Sequence, residues 1–497
     1  MVSGSEIALR VQENPPTLDP AKAARTLDGH LACLLHAGLV RADEKGDIRP
    51  ELAESWEPLG DAPGWRFRLK EGWTFPSGRS VTASDVVYSY HRVCRPETAS
   101  PTAWAFEDVL GYPEVQSGSR ETLIGIRAAS ERVVEIELAE PSASFLAQLT
   151  MPVARIVDRR EIEEKGNRYG RAPRGLGAWE LVEWIDDSHL RFRPNPRYPE
   201  HNTQIETLIF KIVPQDFTAG ALFETGEIQV LDPLPLSWEP RLGALPDRTY
   251  QTQTVTQLNV YYLGMGCHRP PLDRIEVRKA IRAAIDVESI RIALFAERAV
   301  PAYGPIPPGL VGHRDTSPST DFPEARMAEL LDGLELDLWF VDNDSTHSLA
   351  MEAVQAELSE YGVQVRLRRT DPTTYSSWRR EGRFDLFLGN WWADFPDPDN
   401  FFAPLFLSTS ASNTTRISDA ELDDRILVAR KELDPERRGI IYREGNNRLE
   451  ELCPAVFLWH RNNKALMSGG VRGYRSPRLF QGALFLELAL ENGSGSR

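Results

Sequence analysis

Between residues 389 and 402 the chain reads Gly-Asn-Trp-Trp-Ala-Asp-Phe-Pro-Asp-Pro-Asp-Asn-Phe-Phe. Two adjacent indoles, Trp391 and Trp392, sit with three carboxylates, Asp394, Asp397 and Asp399. A carboxylate beside aromatic walls suits an ammonium group, through charge pairing and cation–π attraction. A proline-rich turn whose tryptophans fill an interface accounts for the same residues, and residue types alone do not choose between the two. Close carboxylates such as Asp394 and Asp397 could also share acid–base work. No oxyanion donor or metal set accompanies them in the sequence.

Other signatures of catalysis are missing. There is no GxxxxGK[ST] loop to cradle phosphates, no HExxH and no GxSxG elbow. The nine histidines never pair at metal-ligand spacing. His30 and His36 lie six apart in one predicted helix and read as core or surface histidines. Gly264-Met-Gly266 lacks the third glycine and the following helix of a dinucleotide site. No enzyme activity, cofactor or metal is expected.

The elements that must position the 389–402 segment follow from periodicity. Residues 384–388 read as a buried strand, which puts the segment at a strand's carboxyl end. Strands over 336–341 and 363–367 flank a helix over 349–361, closed by Gly362. That βαβ unit implies a parallel pair. Residues 278–292 read as one amphipathic helix, with Val277, Ala280, Ile281, Ala284 and Ile285 at helical spacing. Further helices are expected over 26–38, 419–431 and 435–451. Thr82-Ala-Ser-Asp85 reads as a capping box opening another. Strands are expected over 7–11, 65–69, 133–138, 190–193, 207–213, 257–263, 455–459 and 483–488. The class is mixed α/β, and ligands of such proteins usually sit between domains or at strand carboxyl ends.

Bulk properties narrow the classes. At 497 residues the chain exceeds the roughly 250–300 residues of one hydrophobic core, so two or three units are expected. The net charge of −16 argues against nucleic acid and against an anionic membrane surface. No apolar stretch approaches the about 20 residues that span a bilayer. Residues 1–5, Met-Val-Ser-Gly-Ser, lack the basic and apolar regions of a signal peptide. Cys33, Cys94, Cys267 and Cys453 stand far apart, with no metal-type spacing; they read as small buried hydrophobes, with one disulfide left open.

Several stretches, in order, resemble the peptide/nickel class of ABC transporter solute-binding proteins, of the family 5 type. They are Leu18-Asp-Pro20, Gly38-Leu-Val-Arg41, Gly46-Asp-Ile-Arg-Pro-Glu-Leu-Ala-Glu-Ser-Trp56 and Trp65-Arg-Phe-Arg-Leu-Lys-Glu-Gly72. Phe75-Pro-Ser-Gly78, Val81-Thr-Ala-Ser-Asp-Val-Val87, Asp273-Arg-Ile-Glu-Val-Arg-Lys-Ala-Ile281, Ala284-Ile-Asp286 and the 391–402 segment follow. The resemblance implies a periplasmic binding protein-like, two-lobed clamshell of the class II type with an extra inserted subdomain. Lobe I would take residues 1–48, 178–262 and 462–497, the subdomain 49–177, and lobe II 263–461. It implies capture of a peptide or peptide-like ligand between lobes, closure about strands near 181–185 and 261–265, and delivery to the membrane permease subunits of an ABC importer. A sensor module of a regulator, or a binder of a non-peptide amine, sugar or metal chelate, is the alternative. A monomer in the periplasm or at the cell surface is expected, its signal peptide removed.

The same resemblance assigns Asp394 to a ligand's α-ammonium, and the backbone of 390–392 to pairing with a bound peptide as an added strand. The ligand residues expected are Asp394, Trp391, Trp392, Asn390, Phe395 and His347. Two departures stand out. Some peptide binders carry glycine where Asn390 stands. Dipeptide-type members place a carboxylate-clamping arginine after the strand matching 336–341, where this chain has Asp-Asn-Asp-Ser-Thr-His over 342–347. A fixed dipeptide clamp is not expected here.

Overall fold

The computed structural model describes residues 6–200, 202–245, 250–318, 322–341, 345–479 and 482–491. The chain divides into two compact units. One comprises residues 1–255 and 463–497, the other 256–462. The chain therefore passes between them at Val255/Thr256 and at Asn462/Asn463. Neither crossing is at the strands expected to hinge. Trp179–Ile185 is an edge strand inside the first unit, and Asn259–Met265 is a fully buried strand inside the second.

In the first unit, Glu6–Val11 pairs in parallel with Thr207–Ile212, which continues antiparallel to His189–Pro194 and then Trp179–Ile185. The strand Thr207–Ile212 buries four of its six residues, three of them consecutive, as suits a strand paired on both edges. A separate four-stranded antiparallel sheet is ordered Ala53–Pro58, Gly64–Leu69, Val133–Glu137, Ile126–Ser130. Its helix Ala83–Cys94 opens on the expected capping box, Thr82 and Asp85 each satisfying the other's backbone N–H.

The second unit carries the 389–402 segment. Its strands run Gln364–Thr370, Glu335–Val341, Leu386–Trp392, Asn259–Met265 and the part of Ala455–Ser468 up to Asn462. The first two are parallel and joined by the helix Ser345–Ser359, the βαβ unit expected. Leu386–Trp392 is parallel to Glu335–Val341 and antiparallel to Asn259–Met265. Apolar side chains from this sheet and from Ile275–Ala283, Val287–Phe295, Glu324–Leu331 and Ser345–Ser359 form one core.

Several boundaries differ from the sequence reading. The strand expected over 384–388 runs Leu386–Trp392, because Asn259–Met265 pairs with it as far as Asn259 opposite Trp392. Gly389 to Trp392 are thus strand residues, not a loop after a strand. The single helix expected over 278–292 is two, Ile275–Ala283 and Val287–Phe295. Asp286 breaks the run by capping the second, accepting the Ser289 N–H at 3.1 Å. The helix of the βαβ unit starts at Ser345 rather than 349, and the first helix, Thr26–Leu35, stops short of residue 38. Gln364–Thr370 is not a buried strand; it is the sheet edge, with Arg366, Arg368 and Arg369 exposed on it. Paired charges on an edge discourage a further strand from adding. The strand expected over 455–459 extends through Ser468. No strand forms over 483–488 among the described residues; Ala489–Leu490 pairs with Val471–Arg472 instead.

All four cysteines are free thiols, three of them buried. Burial pushes the Cys94 and Cys267 thiols up to about 12. No described helix is long and apolar enough to cross a membrane.

Candidate functional site

The strand Leu386–Trp392 leaves the core as it runs. Leu386 to Gly389 are buried, Asn390 and Trp391 half-buried, and Trp392 is 40% exposed. A β-carbon on Gly389 would stand 2.3 Å from the Tyr262 ring, so only glycine lets the two strands approach there. The strand is paired along its whole length with Asn259–Met265, but with Glu335–Val341 only at Leu386 and Phe387. Among the described residues, no strand covers the second edge of the 389–392 stretch.

Three further groups stand near these residues. Asn390 is opposite Tyr261, whose ring stacks on Trp459 at 6.3 Å and meets Trp392 edge-on at 6.4 Å. The His347 ring, in the first turn of Ser345–Ser359, lies 5.9 Å from the same Tyr261 ring. The Arg461 guanidinium stands 5.9 Å from it. The strand carboxyl end and the helix amino end therefore share one side of the sheet, the usual place for ligands in α/β units.

Beyond Trp392 the chain turns tightly. The Ala393 N–H donates to the Leu258 carbonyl at 2.9 Å. The Asp394 N–H donates to Asn400 Oδ1 at 2.8 Å, and the Trp391 indole N–H donates to the same oxygen at 3.4 Å. Asp394 is half-buried. Burial pushes its carboxyl up to about 6, and a hydrogen bond from the Asn400 side chain offsets only part of that. Phe395 lies in the interior at 2% exposure.

The three aspartates do different work. Both oxygens of Asp397 take N–H groups of Arg438 at 2.6 Å, in a bidentate pair buried on both sides. Asp397 also accepts the Asp399 N–H at 2.8 Å, at the start of the helix Asp399–Phe406. Asp399 pairs with Arg430 at 3.3 Å. Asp397 is thus held by a permanent cation and does not stand beside Asp394 as a second acid–base group. Of the three, Asp397 and Asp399 are buried and Asp394 is half-buried.

Of the residues expected to bind ligand, Asn390, Trp391, Trp392 and Asp394 fall on one continuous strand and turn, with His347 brought in through Tyr261. Residues 342–344, part of the stretch in which the resemblance looks for a carboxylate-clamping arginine, lie outside the described residues. Tyr261 and Asn400 are not among the ligand residues expected from the sequence. Tyr261 gave no local signal, because its neighbours come from across the sheet. Asn400 did carry one: an Asp-Pro-Asp-Asn run before an apolar stretch is a helix-start pattern whose side chains bond backbone N–H groups.

Residues 47–413 match the sequence family described as bacterial extracellular solute-binding proteins, family 5. The chain is 26% identical over 479 residues to the periplasmic oligopeptide-binding protein OppA of Escherichia coli K12, across 92% of this chain and 87% of that protein. It is 29% identical over 454 residues to a probable di/tripeptide-binding protein of Pseudomonas aeruginosa, across 87% and 85%. Both are binding proteins by name. In fold it is similar to the unliganded open form of the periplasmic murein tripeptide-binding protein MppA, with a TM-score of 0.84 at 24% identity and 98% of each chain covered. The Haemophilus influenzae OppA complexed with RPPGFSPFR gives 0.78 at 22% identity, covering 98% of this chain and 99% of that one. The family match spans most of the chain and includes the strand-end segment 389–402. The chain belongs to the family 5 bacterial extracellular solute-binding proteins.

Proposed function

We propose that this protein captures a peptide or peptide-like ligand bearing a free amine and delivers it to the membrane permease subunits of an ABC importer. The observation that carries the reading is Asp394, a half-buried carboxylate just past the end of a strand that bears Trp391 and Trp392 and whose second edge pairs only at Leu386 and Phe387 among the described residues. A ligand ammonium pairs with that carboxylate, and the Trp391 and Trp392 faces add cation–π attraction. The second edge of Gly389 to Trp392 offers backbone N–H and C=O groups to an extended peptide. Main-chain pairing carries no side-chain information, so such a site tolerates varied sequences. The relatives named for oligopeptides and for di/tripeptides support the ligand class.

The finer assignments belong to the same proposal. Asn390, Trp391, Trp392 and Asp394 contact the ligand, Phe395 backs the turn and His347 flanks it. Residues 49–177 form an inserted subdomain, which the separate four-stranded sheet supports. The protein works as a non-catalytic monomer outside the cytoplasm. Native mass spectrometry of the purified protein, before and after adding a random peptide library, tests the reading. Retention of peptides with free amino termini is expected. Retention of acetylated peptides just as well, or hydrolysis of the library, overturns it.

A further inference from the structure

The Asn400 side chain is 4% exposed, yet it reaches both groups assigned to the ammonium. Its Oδ1 accepts the Asp394 N–H and the Trp391 indole N–H. Its amide also bonds the Asp394 carboxyl. With the oxygen occupied by two donors, the amide NH2 is the end that donates to the carboxylate. Asparagine suits this place because it offers an acceptor and a donor on one short, planar group. Aspartate lacks the donor, leucine lacks both, and serine is too short to span the three partners.

Asn400 is itself held from behind. Its backbone N–H donates to the Asp397 carbonyl at 3.1 Å, and it lies in the first turn of Asp399–Phe406. Asp397 is clamped by Arg438, which also donates to the Ala429 carbonyl at 3.0 Å. The order of support runs from the helix Pro435–Leu452 through Arg438 and Asp397 to Asn400, and from Asn400 to Asp394 and Trp391. Side chains locked in this way hold a site to the tolerance that recognition needs.

We propose that Asn400 is a positioning residue that aligns the Asp394 carboxylate with the Trp391 indole, so that one ammonium meets both and a blocked amine meets neither. The proposal rests on the reading of Asp394 as the ammonium acceptor. Asn400 never touches the ligand; it acts through its two partners. Its loss therefore changes the selectivity of the site and not merely its occupancy.

The test uses the full chain and a random library of tri- to pentapeptides, half of it N-acetylated. Native mass spectrometry reads the ratio of free to acetylated peptide captured. The wild type favours the free pool. Asn400→Leu and Asn400→Ser each cut that preference by about tenfold, the factor of one ordinary contact. Asp394→Asn removes it, and Asn400→Leu placed on Asp394→Asn changes nothing further, as groups acting in one network do. A purely structural role lowers capture of both pools together and leaves the ratio intact. A ratio unchanged by Asp394→Asn, or capture of neither pool by the wild type, overturns the ammonium reading and this inference with it. A ratio lost in Asp394→Asn but kept in the folded Asn400 variants overturns the positioning role alone. Should Asn400→Leu fail to fold, Asn400→Ser carries the comparison.

Discussion

Two buried charge clusters in this molecule look alike in composition and differ in completeness. In the first unit Arg155 and Glu51 are almost wholly inaccessible, with side-chain exposures of 0% and 1%. Arg155 donates to Glu51 at 2.5 Å, to the Thr150 carbonyl at 3.2 Å and to the Cys33 sulfur at 3.3 Å. Glu51 also accepts the Gly38 N–H at 2.8 Å and the Tyr198 hydroxyl at 3.0 Å. Both carboxylate oxygens are thus satisfied from within the chain. In the second unit the Asp397–Arg438 pair repeats that pattern, but Asp394, three residues earlier, does not. Burial pushes its carboxyl up to about 6. A charge paired with a cation of the chain holds a fold together, whereas a carboxyl whose ionised form burial disfavours is the kind that clusters at functional sites.

The comparison breaks most visibly at Glu51. Glu51→Leu strands the Arg155 guanidinium in the interior, and breaking one side of a buried pair typically costs about 3–5 kcal/mol. The urea midpoint followed by tryptophan fluorescence falls accordingly; an unchanged midpoint would mean that the cluster is not structural. Asp394→Ala does the reverse. Affinity for an amine-bearing ligand drops by roughly 2–5 kcal/mol in calorimetry, while the urea midpoint holds or rises.

Acid separates the two clusters next. The folded-state carboxyl of Asp394 sits at about 6 against an ordinary 3.8. Between those values the folded chain binds the extra proton at this position. The group therefore favours the fold at lower pH, and that contribution fades as pH rises through about 6. Ammonium binding needs the ionised form, so affinity weakens as pH falls below about 6, by roughly tenfold from pH 7 to pH 5. Titrations across that range check the slope, which Asp394→Asn flattens. The smallest effect is at Trp392. Trp392→Ala lowers amine affinity by about 0.5–2 kcal/mol and moves stability by only about 0.5 kcal/mol, since the indole is already exposed. A large loss of stability would move Trp392 from the site to the core.

Much of the frame was legible because it is local. The βαβ unit showed in two apolar runs around an amphipathic helix, and Thr82 to Asp85 announced its helix by a short-range bonding pattern. The errors were local as well. A continuous apolar stripe over 278–292 hid the break at Asp286, whose capping bond outweighs the periodicity. Residues 389–392 looked like loop because glycine, asparagine and two tryptophans lack strand alternation. Pairing with Asn259–Met265 made them strand.

By itself the sequence determined the family, the mixed α/β class, and the placing of Asp394, Trp391 and Trp392 in one segment at a strand's end. Adjacent residues cannot be separated by any fold, so that juxtaposition needed no structure. Which aspartate is locked to an arginine of the chain was decided only in three dimensions. Asp397 is taken by an arginine 41 positions away, and Tyr261 and His347 reach the site from other elements. Spacing along the chain carries no record of such pairings, because they exist only once the core has packed and brought distant groups within bonding distance.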